Sequence, residues 1–182
     1  MEKSKVDYEK MYYGFPVILI SFYDKNGVPN VTTLSSSYSL KDMVVLGFNT
    51  KGYAINEIIH VKDFVINVPD RSLVQEINFC GSKSGFECSK FDEANLTPVK
   101  SPLVNAPVIQ ECPIAIECTL TDVIERDQYQ GITNVLAAVK GRYVAKEYLD
   151  HEGRLQPSML NNILYVGDGV NRGYRYMEEC NN

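Results

Sequence analysis

Six hydroxyl side chains crowd into eight positions between Thr32 and Ser39, within the stretch NVTTLSSSYS. Serine is a poor strand former, so a strand this rich in it needs a reason beyond propensity. Hydroxyl and backbone N–H groups facing a flat polar ligand supply one. A second apolar segment, Met43 to Phe48, follows a Lys41-Asp42 break and ends on Asn49-Thr50-Lys51-Gly52-Tyr53, where an amphipathic helix begins. A cation and a glycine at a helix N-terminus form a natural seat for a phosphate. The two halves together describe a nucleotide-type cofactor site, with the ring on the strand and the phosphate on the helix.

Other chemistry is thin. No G-x-x-x-x-G-K-[ST], H-E-x-x-H or G-x-S-x-G occurs, and the only histidines are His60, on a helical segment, and His151, in a turn. VGDGVNRG, from Val166 to Gly173, has one residue too many between its second and third glycines for a dinucleotide fingerprint, and reads as a C-terminal turn. The five cysteines, Cys80, Cys88, Cys112, Cys118 and Cys180, include no C-x-x-C. They read as reduced thiols, mostly buried, with no metal site; Cys80 stands out for its place beside Gly81 in an expected loop. A chain with a ligand cleft but no acid–base pair borrows its chemistry from a cofactor.

The elements that must position this site are mainly strands. Phe15 to Tyr23 is one, followed by an Asp24-Lys25-Asn26-Gly27 hairpin turn in which Asn-Gly supplies positive φ angles. A returning strand covers Val31 to Leu40, and Met43 to Phe48 is the third. Ala54 to Lys62 is a short helix; Phe64 to Val68 is a strand buried on both faces. Asp70 caps a helix running to Phe79, stopped by Gly81. Residues 80–110 are irregular, with one short helix over Ser89 to Ala94 and no strand. Ile114 to Glu125 and Asn134 to Tyr148 are long strands joined at Tyr129-Gln130-Gly131, and Ile163 to Val166 is the last. Hairpin blocks flank two helices without a βαβ rhythm, which indicates a closed antiparallel sheet, a β-barrel, in a single domain over residues 1–182.

Net charge −5 and pI ≈ 5.1, with basic residues scattered, argue against nucleic acid as a partner. The N-terminal MEKSKVDYEK is too charged for a signal peptide. The longest apolar run, Phe15 to Phe22, falls far short of the roughly 20 residues of a membrane span. The expectation is a cytoplasmic protein with no membrane partner.

The chain resembles the flavin reductase-like, FMN-binding split-barrel family, near its flavoredoxin group. The resemblance rests on NVTTLSSSYS, FNTKGYAINEI and DFVINVP, then FCGSKSGFECSKFDEANLTP and APVIQECPIAIEC. It implies a mainly β split barrel of Greek-key type, a homodimer with FMN at the interface, and electron transfer through the flavin ring. Position by position, it implies that Thr33, Ser35, Ser36 and Ser37 line the ring. Lys51, Gly52 and Tyr53 meet the phosphate, with Asn49 and Thr50 beside them. Ser84 to Lys90 reach the neighbouring subunit's flavin. Phe86 and Ser89 stand where the family commonly has Arg and Asp, and Ala54 where it often has a hydroxyl. The expected function is an FMN-dependent oxidoreductase served by NAD(P)H or a small redox protein. The alternative is a flavin-containing electron carrier or flavin-storage protein without its own small-molecule substrate.

Overall fold

The computed structural model describes residues 1–177. Twelve strands are present among them: β1 (Met11–Pro16), β2 (Ile18–Tyr23), β3 (Pro29–Leu34), β4 (Ser37–Leu40), β5 (Met43–Asn49), β6 (Asp63–Val68), β7 (Pro98–Lys100), β8 (Pro107–Ile109), β9 (Ile114–Ile124), β10 (Ile132–Val144), β11 (Ile163–Asp168) and β12 (Arg172–Tyr176). The α-helices are α1 (Tyr53–Val61), α2 (Val74–Ser82) and α3 (Lys90–Glu93).

Seven strands form one antiparallel sheet in the order β3-β2-β6-β9-β10-β5-β4. Its two edge strands are consecutive in the chain. The hydroxyl-rich segment expected as one strand is therefore two, broken at Ser35-Ser36, and the break carries the chain from one edge of the sheet to the other. Gly47 N–H donates to Ser36 O at 2.8 Å and holds the crossing to β5. The sheet curls into a half-barrel rather than a fully closed one, because β3 and β4 are joined covalently but do not pair.

β2 shows why the sheet can be covered on both sides. Side chains alternate along a strand, so Ile18, Ile20 and Phe22 enter the barrel core with Leu46, Phe64 and Ile58 of α1. Val17 and Leu19, on the other face, pack with Ile77 of α2, Phe91 of α3 and Ile163 of β11. β1, β11 and β12 make a separate three-stranded sheet on that side.

Several local expectations are corrected. In the Asp24–Gly27 turn only Gly27 has positive φ (81°), because Asp24 Oδ1 takes the N–H groups of Asn26 and Val28 at 2.8 Å each and fixes the turn itself. Asp70 does accept from Ser72 N–H (2.8 Å), and a 3₁₀ turn over Arg71–Leu73 leads into α2. Gly81 lies inside α2 rather than ending it; its missing side chain lets the helix approach Thr33, whose Cβ would sit 3.3 Å from a Cβ at Gly81.

Residues 80–110 contain a strand pair after all, β7 with β8. Two buried polar side chains tie the segment down. Asn67 Oδ1 accepts from Ile109 N–H at 2.9 Å, and Glu117 accepts from the Ser101 hydroxyl and from Leu103 N–H (3.3 Å). Gly141, opposite Glu117 in the ladder, makes room for that carboxylate: a Cβ there would lie 2.8 Å from Oε2. Ile163–Asp168 is not the last strand, since β12 pairs back on it. VGDGVNRG is thus the turn of a hairpin within strands β11 and β12.

Candidate functional site

A cleft of about 720 Å³ opens where the Ser35-Ser36 crossing, the start of α1 and the length of α2 converge. That volume lies in the upper part of the range, roughly 300–1,000 Å³, of pockets that hold a drug-sized ligand. Thr33, Ser35, Asn49, Gly52, Tyr53, Ser84 and Lys90 line it, so the structure brings these expected residues together. The other four are placed differently. Ser36 faces a small adjoining recess shared with Lys10 and Tyr12. Ser37 pairs in β4 with Leu46. Thr50 Oγ1 lies 2.9 Å from Thr133 Oγ1, and Lys51 is exposed, with its N–H donating to Asn49 Oδ1 at 3.0 Å.

The start of α1 is open. Gly52 is its N-cap and makes no side-chain cap, no acidic residue stands in the first turn, and the first N–H turned inward as a helix bond is that of Asn56, to Gly52 O. A helix N-terminus left this way favours an anion. Tyr53, the first helical residue, is wedged in place. Its hydroxyl donates to Asp24 Oδ2 at 3.1 Å, its ring meets Phe86 edge-on at 4.9 Å, and Gly85 presses so close that a Cβ there would lie 2.2 Å from Cδ1. Burial and the Asp24 carboxylate push the Tyr53 phenol up to about 12, so it remains a neutral donor.

Thr33 Oγ1 donates to Ile77 O at 2.7 Å, tying β3 to α2. Lys90 Nζ donates to Cys80 O at 2.7 Å from a fully buried side chain. Burial lowers the affinity of this amine for its proton.

The far end of the cleft was not legible as a site. There Tyr12, Tyr165 and Tyr174 form a continuous aromatic wall, with ring centroids 4.7 Å apart for Tyr12–Tyr165 and 5.5 Å for Tyr165–Tyr174. Tyr174 Oη donates to Asn78 Oδ1 at 2.9 Å. Lys10 and Arg172 line this end, and Lys83 lines the cleft beside Ser84. The only sequence signal for Lys83 was its position in GSKSG; Arg172 was hidden in a segment read as a turn.

The electrostatics are one-sided. Among the described residues the cleft is lined by Lys10, Lys83, Lys90 and Arg172 and by no Asp, Glu, His or Cys side chain, although the chain's net charge is −5. Cys80, Cys112 and Cys118 are buried and Cys88 half-buried, all as free thiols. Burial pushes the Cys80 thiol up to about 11, which keeps it protonated and inert at neutral pH. Cys180 lies outside the described residues. No group of three metal-ligating side chains stands together among the described residues, and none of their helices is long and apolar enough to cross a membrane.

A curled antiparallel half-barrel with an anion-seeking cleft at its covalently bridged edges defines the class, and the chain belongs to the flavin reductase like domain family, which it matches over residues 11–160. It is 29% identical over 171 residues to an uncharacterized protein, YdfE, of Bacillus subtilis, covering 85% of this chain and 82% of that one. Its fold is similar to that of flavoredoxin of Desulfovibrio vulgaris (Miyazaki F), with a TM-score of 0.88 at 24% identity over 98% of this chain and 95% of the other. It is also similar to flavoredoxin from Methanosarcina acetivorans, at 0.87 and 22% identity over 100% and 95%. The expected mainly β split-barrel fold is therefore this protein's fold.

Proposed function

We propose that this protein is an FMN-dependent oxidoreductase whose cleft holds one FMN. The observation that carries the reading is the charge of the cleft: four cations and no carboxylate among its described lining, in an acidic protein. The donor set suits FMN. The uncapped start of α1, with Lys83 and Ser84 across from it, accepts the phosphate. The Thr33–Ser35 edge offers backbone and hydroxyl groups to a flat ring with polar edges.

Bound there, FMN would supply the electron transfer that no side chain of the cleft can perform. The chain's own residues bind, orient and shield. The Ser35-Ser36 crossing, freed from strand pairing, presents N–H donors where charge on a reduced ring would need them. Tyr53, locked between Asp24, Phe86 and Gly85, closes the phosphate end, and Thr33 keeps β3 at a fixed distance from α2. Lys90 adds positive charge without being a free ligand, since its ammonium is held by Cys80 O.

A homodimer is part of the same proposal. Phe91, Leu96 and Val104 of the 80–110 segment are buried within their own chain and are not available to a partner. Support comes instead from exposed apolar residues beside the cleft and on the free edge strand: Phe86 (68% exposed), Tyr38 (60%) and Leu40 (67%).

The test is titration of FMN and riboflavin into the flavin-free protein, followed by anaerobic addition of NADH or NADPH to the FMN form. One FMN per chain, held more tightly than riboflavin, and bleaching by a reduced nicotinamide support the proposal. Absence of FMN binding overturns it. Bleaching only by a reduced small redox protein turns it into a carrier without a small-molecule substrate.

A further inference from the structure

The two ends of the cleft are built differently. The end at α1 has an uncapped helix start and serine-rich loop; the other has three tyrosine rings and two cations. α2 connects them, with Asn78 hydrogen-bonded to Tyr174 at one end and Ser82 and Lys83 lining the other. Five residues of helix at 1.5 Å each separate Asn78 from Lys83 by roughly 7–8 Å, so a single charged group does not engage both ends.

The tyrosine end belongs to the small β1-β11-β12 sheet, and β11 and β12 lie beyond residues 11–160, the part matched to the family. The local sequence is built to hold this shape. Gly167 has φ +119° and lies so close to Asn171 O that a Cβ would stand 2.0 Å from it, while Asp168 Oδ1 takes the N–H groups of Val170 and Asn171 at 2.7 Å each. This tight hairpin delivers Arg172 to the cleft directly across the ladder from Gly167. Among the described residues no carboxylate lines this end to neutralise Lys10 or Arg172.

We propose that this end of the cleft is the subsite of a second ligand, a small planar aromatic carboxylate that meets the flavin there. Its ring would lie against Tyr12 and Tyr165, where aromatic contacts add to apolar burial. Its charge would turn to Lys10 and to the planar fork of Arg172, which matches a carboxylate. The inference rests on the flavin reading of the rest of the cleft, and it names the substrate class that the β11–β12 hairpin selects.

Isothermal titration calorimetry of the full-length protein with benzoate tests it, with benzamide (same ring, no charge) and cyclohexanecarboxylate (same charge, no planar ring) as controls. Benzoate is expected to bind about tenfold or more tightly than either control. Arg172→Gln, an exposed position, should weaken benzoate about tenfold, and Tyr165→Leu should remove its advantage over cyclohexanecarboxylate. Equal binding of benzoate and benzamide, no binding of benzoate, or insensitivity to Arg172→Gln overturns the subsite. FMN uptake is titrated separately on the same preparations. Loss of the flavin reading then shows as failed FMN uptake, whereas loss of the subsite shows as normal FMN uptake without benzoate selectivity.

Discussion

Lys90 Nζ donates a hydrogen bond to Cys80 O, 2.7 Å away, and so joins the first residue of α3 to the last turn of α2. An ammonium there meets the negative end of the α2 dipole and satisfies a carbonyl that helix geometry leaves free. Lys90→Met preserves the stem but leaves that carbonyl unpaired. A charge-assisted bond contributes about 1.5–3 kcal/mol, and a loss of that order is expected in urea unfolding of the flavin-free protein. An unchanged midpoint would show that Lys90 is held without being needed.

The phosphate end separates two lysines. Lys83 lines the cleft, whereas Lys51 is exposed and outside its lining. Lys83→Ala is expected to weaken FMN roughly tenfold to a hundredfold while sparing riboflavin, corresponding to about 1.5–3 kcal/mol for one charged contact. Lys51→Ala should have the smaller effect. Titrating both flavins into both variants decides the matter, and the reverse ranking would return the phosphate to Lys51.

Gly85 sets the position of Tyr53. A Cβ at Gly85 would lie 2.2 Å from Tyr53 Cδ1 and 2.8 Å from Cε1. Gly85→Ala must therefore displace the ring or the loop, at about 1–3 kcal/mol, and should loosen the Tyr53–Asp24 bond along with FMN. Gly169→Ala is the control, since nothing lies within 4 Å of its added Cβ. Near-ultraviolet circular dichroism and FMN titration should change for the first variant and not for the second.

Stability should fall on the alkaline side. Burial raises the thiols of Cys80 and Cys118 from 9.0 to about 11 and about 12, and burial with Asp24 raises Tyr53 from 10.0 to about 12. The folded chain thus holds these protons longer than the unfolded chain does. Their contribution is full below pH 9 and is lost as pH climbs through the folded values. Lys90, lowered from 10.5 by burial, works in the opposite sense and offsets only part of this. Denaturant midpoints measured from pH 7 to 11 should decline above pH 9, and Cys80→Ala should decline less steeply. A flat profile would contradict the buried state of these groups.

Local pattern by itself determined most of the elements. The short β-branched run in Phe64–Val68, the helical period after Gly52 and the Asx cap at Asp70 depend on neighbours a few residues away, so they are written in the chain. The hydroxyl run likewise pointed to Thr33 and Ser35, and the Gly52-Tyr53 junction to a helix start beside the cleft. The resemblance to a family supplied the split-barrel fold and the expectation of a flavin reached by the loop from Ser84 to Lys90.

Tertiary structure alone decided what faces the cleft. A kink at Ser35-Ser36 follows from β3 and β4 lying at opposite sheet edges, which no strand propensity encodes. Glu117 and Asn67 order the 101–109 segment across sequence separations of 14 to 42 residues. Lys10, Tyr12, Tyr165 and Arg172 come together only because β1 and β11 pair across some 150 residues. Short-range sequence signals report what a residue does to its own backbone, whereas a binding surface is set by which distant strands share a sheet. That is why Gly52 was legible as a helix start and Arg172 was not legible as part of the cleft.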